Sequence, residues 1–158
     1  MSANEQVIRS FYAAFQRRDH RAMAACYAPD ARFTDPVFRT LEGARVPAMW
    51  RMLCERATDL RVEVSNVVAD GRTGSAEWEA RYTFTPTGRK VRNVIHATFE
   101  FADGKISRHQ DDFDLRAWAR QALGTKGLLL GWTPLVQKAI RAQARKSLDS
   151  FMRARGTP

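Results

Sequence analysis

The stretch that decides the fold is residues 75–113, which read SAEWEARYTFTPTGRKVRNVIHATFEFADGKISRHQDDF. Apolar and polar side chains alternate in it, and the alternating runs are Ser75–Thr85, Val91–Phe101 and Lys105–Phe113. Two short turn sequences, Thr87-Gly88 and Asp103-Gly104, separate these runs. Alternation with a period of two, interrupted by glycine-containing turns, predicts antiparallel strands in a meander.

The flanking sequence adds one more strand, a short extended piece at Arg32–Asp35 and several helices, the second of which Asp19 is expected to cap. Arg61–Ala69 is β-rich and ends at the turn sequence Asp70-Gly71. Helical spacing of apolar residues predicts helices at residues 5–18, 21–27, 43–58 and 115–123, and a last helix from Pro134. Helices first and consecutive strands after them predict an α+β fold rather than alternating β and α units.

Strand phase predicts which side chains share one face of the sheet. The sets are Trp78, Ala80, Tyr82 and Phe84, then Asn93, Ile95, Ala97, Phe99 and Phe101, and finally Ser107, His109, Asp111 and Phe113, whereas His96 has the opposite phase. His109 and Asp111 therefore point the same way as the aromatic residues, about 6.6 Å apart along their strand. Either the two residues satisfy each other's hydrogen bonds in the core, or they form a general acid–base pair in a pocket.

The charge of the chain is concentrated near its end. The 158 residues carry a formal charge of +9, and residues 134–158 contribute six basic residues against the single acid Asp149. Such a segment is either a solvated helix face or a surface for an anionic partner. We expect no nucleic-acid partner and no stable membrane insertion, because Phe151 is the only aromatic residue near these charges and no apolar run approaches the ~20 residues of a span.

The sequence also lacks the marks of several other protein classes. Its start, MSANEQVIRS, has no signal-peptide pattern, so we expect a cytoplasmic protein. His20, His96 and His109 have no metal-ligand spacing, and no glycine-rich phosphate-binding motif occurs. We therefore expect neither a metal nor a cofactor.

Several short motifs, in order, resemble the NTF2-like superfamily in its SnoaL-like and ketosteroid-isomerase-like part. They are helix Val7–Asp19, Cys26–Val37, Pro86–Lys90, Phe99–Ile106 and His109–Leu115. The resemblance covers about residues 5–120. It implies a strongly curved antiparallel sheet wrapped around N-terminal helices, forming a cone with a deep apolar pocket, and it implies a homodimer.

The resemblance transfers to individual residues only in part. Ketosteroid isomerases have their general base in an Asp-Pro-Val sequence, which is similar to Asp35-Pro36-Val37. Their two oxyanion donors, a tyrosine and a protonated aspartate, correspond to Phe11 and Ala97, so this chain departs from that pattern. Tyr12 lies one residue from the tyrosine position.

Two further branches of the superfamily also match incompletely. Limonene epoxide hydrolases have a catalytic aspartate at a position similar to Asp111, but their arginine and second aspartate correspond to Trp78 and Ala80. SnoaL-type cyclases use an acidic base in the same cavity, and the resemblance allows either Asp35 or Asp111 for it.

These observations predict a cofactor-free pocket enzyme that acts on a small apolar molecule bearing a carbonyl or epoxide group, by acid–base chemistry. The alternatives are a non-catalytic protein, which binds a small ligand or is a dimer scaffold, and an interaction protein that uses the basic helix. The predicted catalytic residues are Asp35, His109 and Asp111. The predicted substrate-binding residues are Phe11, Phe15, Trp50, Trp78, Tyr82, Asn93 and Phe113.

The last part of the chain is predicted to extend the fold. We expect residues 1–123 to form the SnoaL-like domain and residues 124–158 to form a helical extension that packs on this domain or on a partner subunit. The stripe Val136, Ile140, Ala144, Leu148 and Phe151 needs an apolar surface to cover, because an isolated helix is marginal in water. We expect the extension to close the pocket in part.

Overall fold

The computed structural model of the chain describes residues 1–129 and 131–156. The elements are α1 (Ala3–Gln16), α2 (His20–Ala25), β1 (Tyr27–Asp35), β2 (Arg39–Glu42), α3 (Arg45–Arg56), β3 (Arg61–Ala69), β4 (Thr73–Phe84), β5 (Arg89–Ala102), β6 (Lys105–Asp112), α4 (Leu115–Gly127) and α5 (Pro134–Ala154). The α+β class and the curved sheet around N-terminal helices are confirmed.

The six strands form one sheet in the order β2-β1-β6-β5-β4-β3. The meander β3 to β6 is antiparallel throughout, as the alternation predicted. One strand differs, because β1 pairs with β6 in parallel, with Phe33 opposite His109. The sequence indicated only a short extended piece here, whereas β1 begins at Tyr27 and runs through Pro29.

A register shift corrects the predicted face of Ser107. The pairing of β5 with β6 changes from Glu100 opposite Arg108 to Phe101 opposite Ile106, so Ser107 lies in a bulge. Ile106 is fully buried instead. His109 and Asp111 lie beyond the bulge and keep the inward orientation that strand phase predicted.

Helix α1 packs an aromatic face into the concave side of the sheet. Phe11, Tyr12 and Phe15 are buried there, with α3 contributing Trp50 from the other side. The Asp19 side chain accepts a hydrogen bond from the Ala22 N–H and caps α2, which is the cap that the sequence predicted. The concave side is therefore lined by aromatic rings from both helices and strands.

Helix α4 is interrupted where the sequence predicted its end. Gly124 has a φ of 69°, and a Cβ atom at this position would lie 2.9 Å from the Arg89 guanidinium. The same arginine donates from Nε to the Gln121 carbonyl at 2.7 Å, and the Arg92 N–H donates to Gln121 Oε1 at 2.7 Å. These bonds hold α4 against the β4–β5 hairpin, next to one end of the sheet.

Helix α5 packs on the same chain through its C-terminal half. Leu148, Phe151 and Met152 join the core, and Asp149 forms an ion pair with Arg45 at 2.8 Å. Pro134 occupies the first turn of the helix, as predicted, and Thr133 caps it. Among the described helices, none is long and apolar enough to cross a membrane. The division into a domain and an extension stays a prediction.

Candidate active site

A pocket of about 290 Å³ opens between the concave face of the sheet and helices α1, α3 and α4. Most of its wall is apolar. Its polar side chains are Asp35, Asn93 and Asp111, together with the hydroxyl group of Tyr82. A pocket of this size, apolar and with a few convergent polar groups, is suited to a small organic molecule.

Two carboxyl groups lie side by side in this pocket. Asp35 ends β1 and Asp111 lies on the neighbouring parallel strand β6, one residue beyond the paired residues Thr34 and Gln110. Adjacent strands are about 4.8 Å apart, and both side chains face the same cavity. The parallel pairing of β1 with β6 is thus what brings the two acids together.

Backbone groups hold Asp35. Its Oδ1 atom accepts hydrogen bonds from the N–H of Val37 at 2.9 Å and of Phe38 at 2.6 Å. Burial nevertheless raises the pKa of Asp35 to about 7, and the negative charge of Asp111 adds to this rise, while the two backbone hydrogen bonds oppose it. A carboxyl group with this pKa exchanges protons readily near neutral pH.

Side chains hold Asp111. Its Oδ1 atom is 2.9 Å from His109 Nε2 and accepts a second hydrogen bond from Trp78 Nε1 at 3.3 Å. His109 Nδ1 lies 2.7 Å from the Tyr27 hydroxyl, which accepts a hydrogen bond from Trp50 Nε1 at 2.9 Å. His109 is fully buried and Asp111 is 3% exposed. The result is a buried hydrogen-bonded chain that ends at the pocket.

The bonding pattern fixes the direction of this chain. The Tyr27 oxygen accepts from the Trp50 N–H, so the Tyr27 O–H donates to His109 Nδ1. His109 then carries its proton on Nε2 and donates it to Asp111. This arrangement satisfies the hydrogen-bonding groups of Tyr27, His109 and Asp111 together.

Each carboxyl group keeps one oxygen for the pocket. The four hydrogen bonds that described residues make to Asp35 and Asp111 all end on Oδ1 atoms. Neither Oδ2 atom is among the buried side-chain polar atoms that lack a hydrogen-bond partner in the described structure. Both Oδ2 atoms are therefore open to a molecule in the cavity.

A second polar group lies farther along the pocket. Trp118 of α4 donates from Nε1 to the Tyr82 hydroxyl at 2.7 Å, and both residues line the cavity. Asn93 lies opposite Ala80 on the paired strands, so it is a diagonal neighbour of Tyr82. Asn93 is four residues from Ala97, which pairs with Asp111, and this corresponds to about 13 Å along β5. The pocket thus has an acidic end and an end with hydrogen-bond donors.

The structure places the predicted residues in two layers. The first layer lines the pocket and comprises Asp35, Asp111, Phe15, Trp50, Trp78, Tyr82, Asn93 and Phe113. Phe11 and His109 do not line it, and the two rings pack edge-to-face behind it, 5.7 Å apart. The functional roles assigned to these residues stay predictions.

Three features of the site were not predicted from the sequence. Tyr27 is the partner of His109, the N–H groups of Val37 and Phe38 hold Asp35, and Trp118 lines the pocket. The proline after Asp35 signals a turn that could have suggested the backbone contacts. No α5 side chain that the structure describes lines the pocket, whereas Trp118 of α4 does, and closure of the pocket by the extension stays a prediction.

No metal site accompanies the pocket in the described part of the chain. Residues 1–129 and 131–156 contain no group of three His, Cys, Asp or Glu side chains placed to hold a metal ion. His96 faces the outer side of the sheet, as strand phase predicted, and its Nδ1 atom contacts Glu77 at 2.6 Å.

Comparison with known proteins identifies the family. The model of the SnoaL-like domain matches residues 8–109, which is about two thirds of the chain. The chain therefore belongs to the SnoaL-like family, with the NTF2-like fold that the sequence motifs suggested. No curated protein matches it in sequence.

Solved structures extend this comparison. An NTF2-like protein of unknown function from Burkholderia pseudomallei is 25% identical, with a TM-score of 0.65, and the match covers 77% of this chain and 98% of that protein. An LEH-like epoxide hydrolase from M. tuberculosis is 24% identical, with a TM-score of 0.63, over 87% and 96% of the two chains. A proposed polyketide cyclase from Pseudomonas putida is 24% identical, with a TM-score of 0.63, over 77% and 98%.

These similarities define a class but not a reaction. At such identities the last two structures establish the common fold alone. The family match and the cavity support a pocket protein for small molecules.

Proposed function

We propose that the protein is a cofactor-free enzyme that performs acid–base chemistry on a small, mostly apolar molecule with a carbonyl or epoxide group. The observation that carries this proposal is the pair of carboxyl groups, Asp35 and Asp111, each with one oxygen open to an apolar pocket. The LEH-like and cyclase-like relatives lend support, since they share the fold.

Asp35 is the proposed base. In its carboxylate form, Oδ2 accepts a proton from a carbon next to a carbonyl group, or from a water molecule that attacks an epoxide carbon. In the first case the C–H electron pair moves into the enolate, and the protonated Asp35 returns the proton to another carbon of the same molecule. In the second case the epoxide C–O bond breaks, and the proton returns to the epoxide oxygen. A pKa of about 7 allows Asp35 to act in both directions near neutral pH.

Asp111 and His109 support this base in different ways. The negative charge of Asp111 raises the affinity of Asp35 for a proton, and its free oxygen contacts the bound molecule. His109 acts through Asp111, because it lies behind the pocket and donates to Oδ1. His109 is thus a positioning residue in this proposal rather than a proton donor to the substrate.

The rest of the wall supports an apolar ligand with a polar group at its far end. The aromatic residues Phe15, Trp50 and Trp78 offer flat apolar surfaces. The Asn93 amide offers hydrogen bonds about 13 Å from the acidic end, measured along β5, and the Tyr82 hydroxyl belongs to its diagonal neighbour on β4. A molecule that spans both ends would be oriented before the proton moves.

The experiment compares Asp35→Asn with Asp30→Asn on a panel of enolisable ketones and small apolar epoxides. Asp30 lies on the same strand but is exposed, so its variant controls for the change of charge. Deuterium uptake from heavy water reports proton abstraction, and mass spectrometry detects diols. We expect Asp35→Asn to lose about 10²-fold or more in rate, with Asp30→Asn unchanged. Full turnover by a folded Asp35→Asn variant refutes the base role, and binding without turnover by the native protein favours a non-catalytic binder.

We also propose that the protein is a homodimer that uses the outer face of its sheet. Val94 on this face is 52% exposed, which is a high value for a β-branched strand residue. Sedimentation equilibrium of the native protein and of Val94→Glu tests this proposal. We expect the mass of a dimer for the native protein and a lower mass for Val94→Glu. The mass of a monomer for the native protein, or equal masses for the two proteins, would contradict it.

A further inference from the structure

Two arginines of α5 donate hydrogen bonds to the turn that follows Asp35. Arg141 donates from Nε to the Pro36 carbonyl at 2.9 Å, and Arg145 donates from Nη2 to the Phe38 carbonyl at 3.0 Å. These contacts span more than 100 residues of sequence, and both arginines lie outside the part that matches the family model. The basic helix therefore has a specific contact that its overall charge did not suggest.

The same turn holds the Asp35 carboxyl group from its other side. The Pro36 carbonyl and the Val37 N–H belong to one peptide group, so Arg141 binds the oxygen while the N–H donates to Asp35 Oδ1. A hydrogen bond at one end of a peptide group orients and polarises the other end. The Phe38 N–H donates to Asp35, and the Phe38 carbonyl, which belongs to the next peptide group, accepts from Arg145.

Helix α5 is a fixed support for these arginines. Leu148, Phe151 and Met152 anchor it in the core, and Asp149 pairs with Arg45 at the beginning of α3. The arginines thus connect a packed helix to a turn of three residues, two of which, Val37 and Phe38, also line the pocket.

We infer that Arg141 and Arg145 are positioning residues, which act through the 36–38 turn to set the geometry and proton affinity of Asp35. This inference rests on the proposed function of Asp35 as a base. It assigns to the C-terminal helix a role in the site without contact between α5 and the substrate. Asp111, on the adjacent strand β6, is the titratable group that lies beside Asp35 in the pocket.

The direction of the effect follows from the hydrogen bonds. The Val37 and Phe38 N–H groups lower the pKa of Asp35 against the effect of burial. Without the arginines the turn is less well held and these bonds weaken, so the carboxylate is less stabilised. The pKa of Asp35 then rises further, and the acid limb of the pH–rate profile moves to higher pH.

The test compares two double variants that each remove two positive charges from α5. Arg141→Met/Arg145→Met removes the contacts with the turn. Lys146→Met/Arg153→Met is the control, because both residues are exposed and neither contacts the turn in the described structure. Amide hydrogen exchange of Val37 and Phe38 is measured by NMR, together with the titration of the Asp35 carboxyl carbon.

In Arg141→Met/Arg145→Met we expect both amides to exchange at least about threefold faster. The Asp35 pKa should rise by about half a pH unit or more, whereas the control stays at native values. Arg141→Lys/Arg145→Lys should bring the amide exchange rates and the Asp35 pKa part of the way back to native values, since lysine can still donate to the carbonyls. If turnover is found, its acid limb should shift with the pKa, which a purely structural role would not produce.

Unchanged exchange and an unchanged Asp35 pKa in the folded Arg141→Met/Arg145→Met variant would overturn the inference. An equal change in the control would also overturn it, because a general charge effect would then explain the result. Both NMR measurements need no substrate. Failure of the proposed function, detected as full turnover by Asp35→Asn, is therefore distinguishable from failure of this inference.

Discussion

The two acids of the pocket are held by different parts of the protein. Asp111 depends on side chains, namely His109 and Trp78, and through His109 on Tyr27. Asp35 depends on main-chain N–H groups of the turn that follows it. The difference teaches how each can be altered: point substitutions can dismantle the support of Asp111 step by step, whereas the support of Asp35 can be changed only by moving the backbone.

The largest expected effect comes from Asp111→Asn, which removes the charge that faces Asp35. The pKa of Asp35 should fall in part, because burial, the larger cause of its rise, remains, and turnover should decrease by about 10²-fold. NMR titration of Asp35 and rate measurement check this. Asp112→Asn is the matched control, since Asp112 is exposed and accepts only from Gln110. An unchanged Asp35 pKa would show that the two acids are independent.

The next effect is on stability as a function of pH. Folded Asp35 has a pKa of about 7, whereas an unfolded aspartate has about 3.9. Between these values the folded protein holds a proton that the unfolded chain releases, so the free energy of unfolding decreases as pH rises from about 4 to 7.

Asp35→Asn lacks this dependence and provides the reference. The native protein should lose on the order of 3 kcal/mol of stability relative to Asp35→Asn between pH 4 and pH 8. Urea denaturation at several pH values measures the difference. Parallel pH curves for the two proteins would mean that backbone support keeps the Asp35 pKa near its usual value.

A smaller effect is expected from Tyr27→Phe. It leaves the Trp50 N–H and His109 Nδ1 without a partner in the core, which should cost about 1–3 kcal/mol of unfolding free energy. Tyr12→Phe is the matched control, because the buried Tyr12 hydroxyl has no hydrogen-bond partner in the described structure. Thermal melting should therefore show a loss for Tyr27→Phe alone. Equal melting temperatures would show that the side-chain support of Asp111 ends at His109.

The smallest effect is expected from Trp78→Phe. Its hydrogen bond to Asp111 is long, at 3.3 Å, and His109 still donates to the same oxygen. We expect a loss of about 1 kcal/mol of unfolding free energy, measured by urea denaturation. A loss larger than that of Tyr27→Phe would reverse the order of importance among the supports of Asp111.

Local patterns predicted the wall of the pocket well. Trp78, Ala80, Tyr82 and Phe84 all line the cavity, because β4 pairs without a register shift against β5 and a period of two holds along its length. The Asp-Pro sequence at Asp35 likewise led to a residue that lies in the pocket. Alternation is therefore sufficient to predict which side chains of a single regular strand line the pocket.

Contacts between distant segments could not be predicted in this way. The bulge at Ser107 depends on how two strands match, which alternation in one strand does not contain. His109 is sealed because Tyr27, 82 residues away, reaches it from the first part of β1, which the sequence did not indicate as strand. The apolar stripe of α5 predicted that this helix would be covered, but not that Arg141 would bind the turn after Asp35.

The parallel pairing of β1 with β6 has a consequence for how the protein is made. During synthesis β1 leaves the ribosome while β6, about 75 residues later, is not yet translated. Until then the inner edge of β1 has no strand beside it, and only its hairpin with β2 can form. Pairings this distant along the chain slow folding, because a long loop must close first. Asp35 and Asp111 therefore come together late in folding. The arginines of α5 can form hydrogen bonds with the 36–38 turn only after almost the whole chain has emerged.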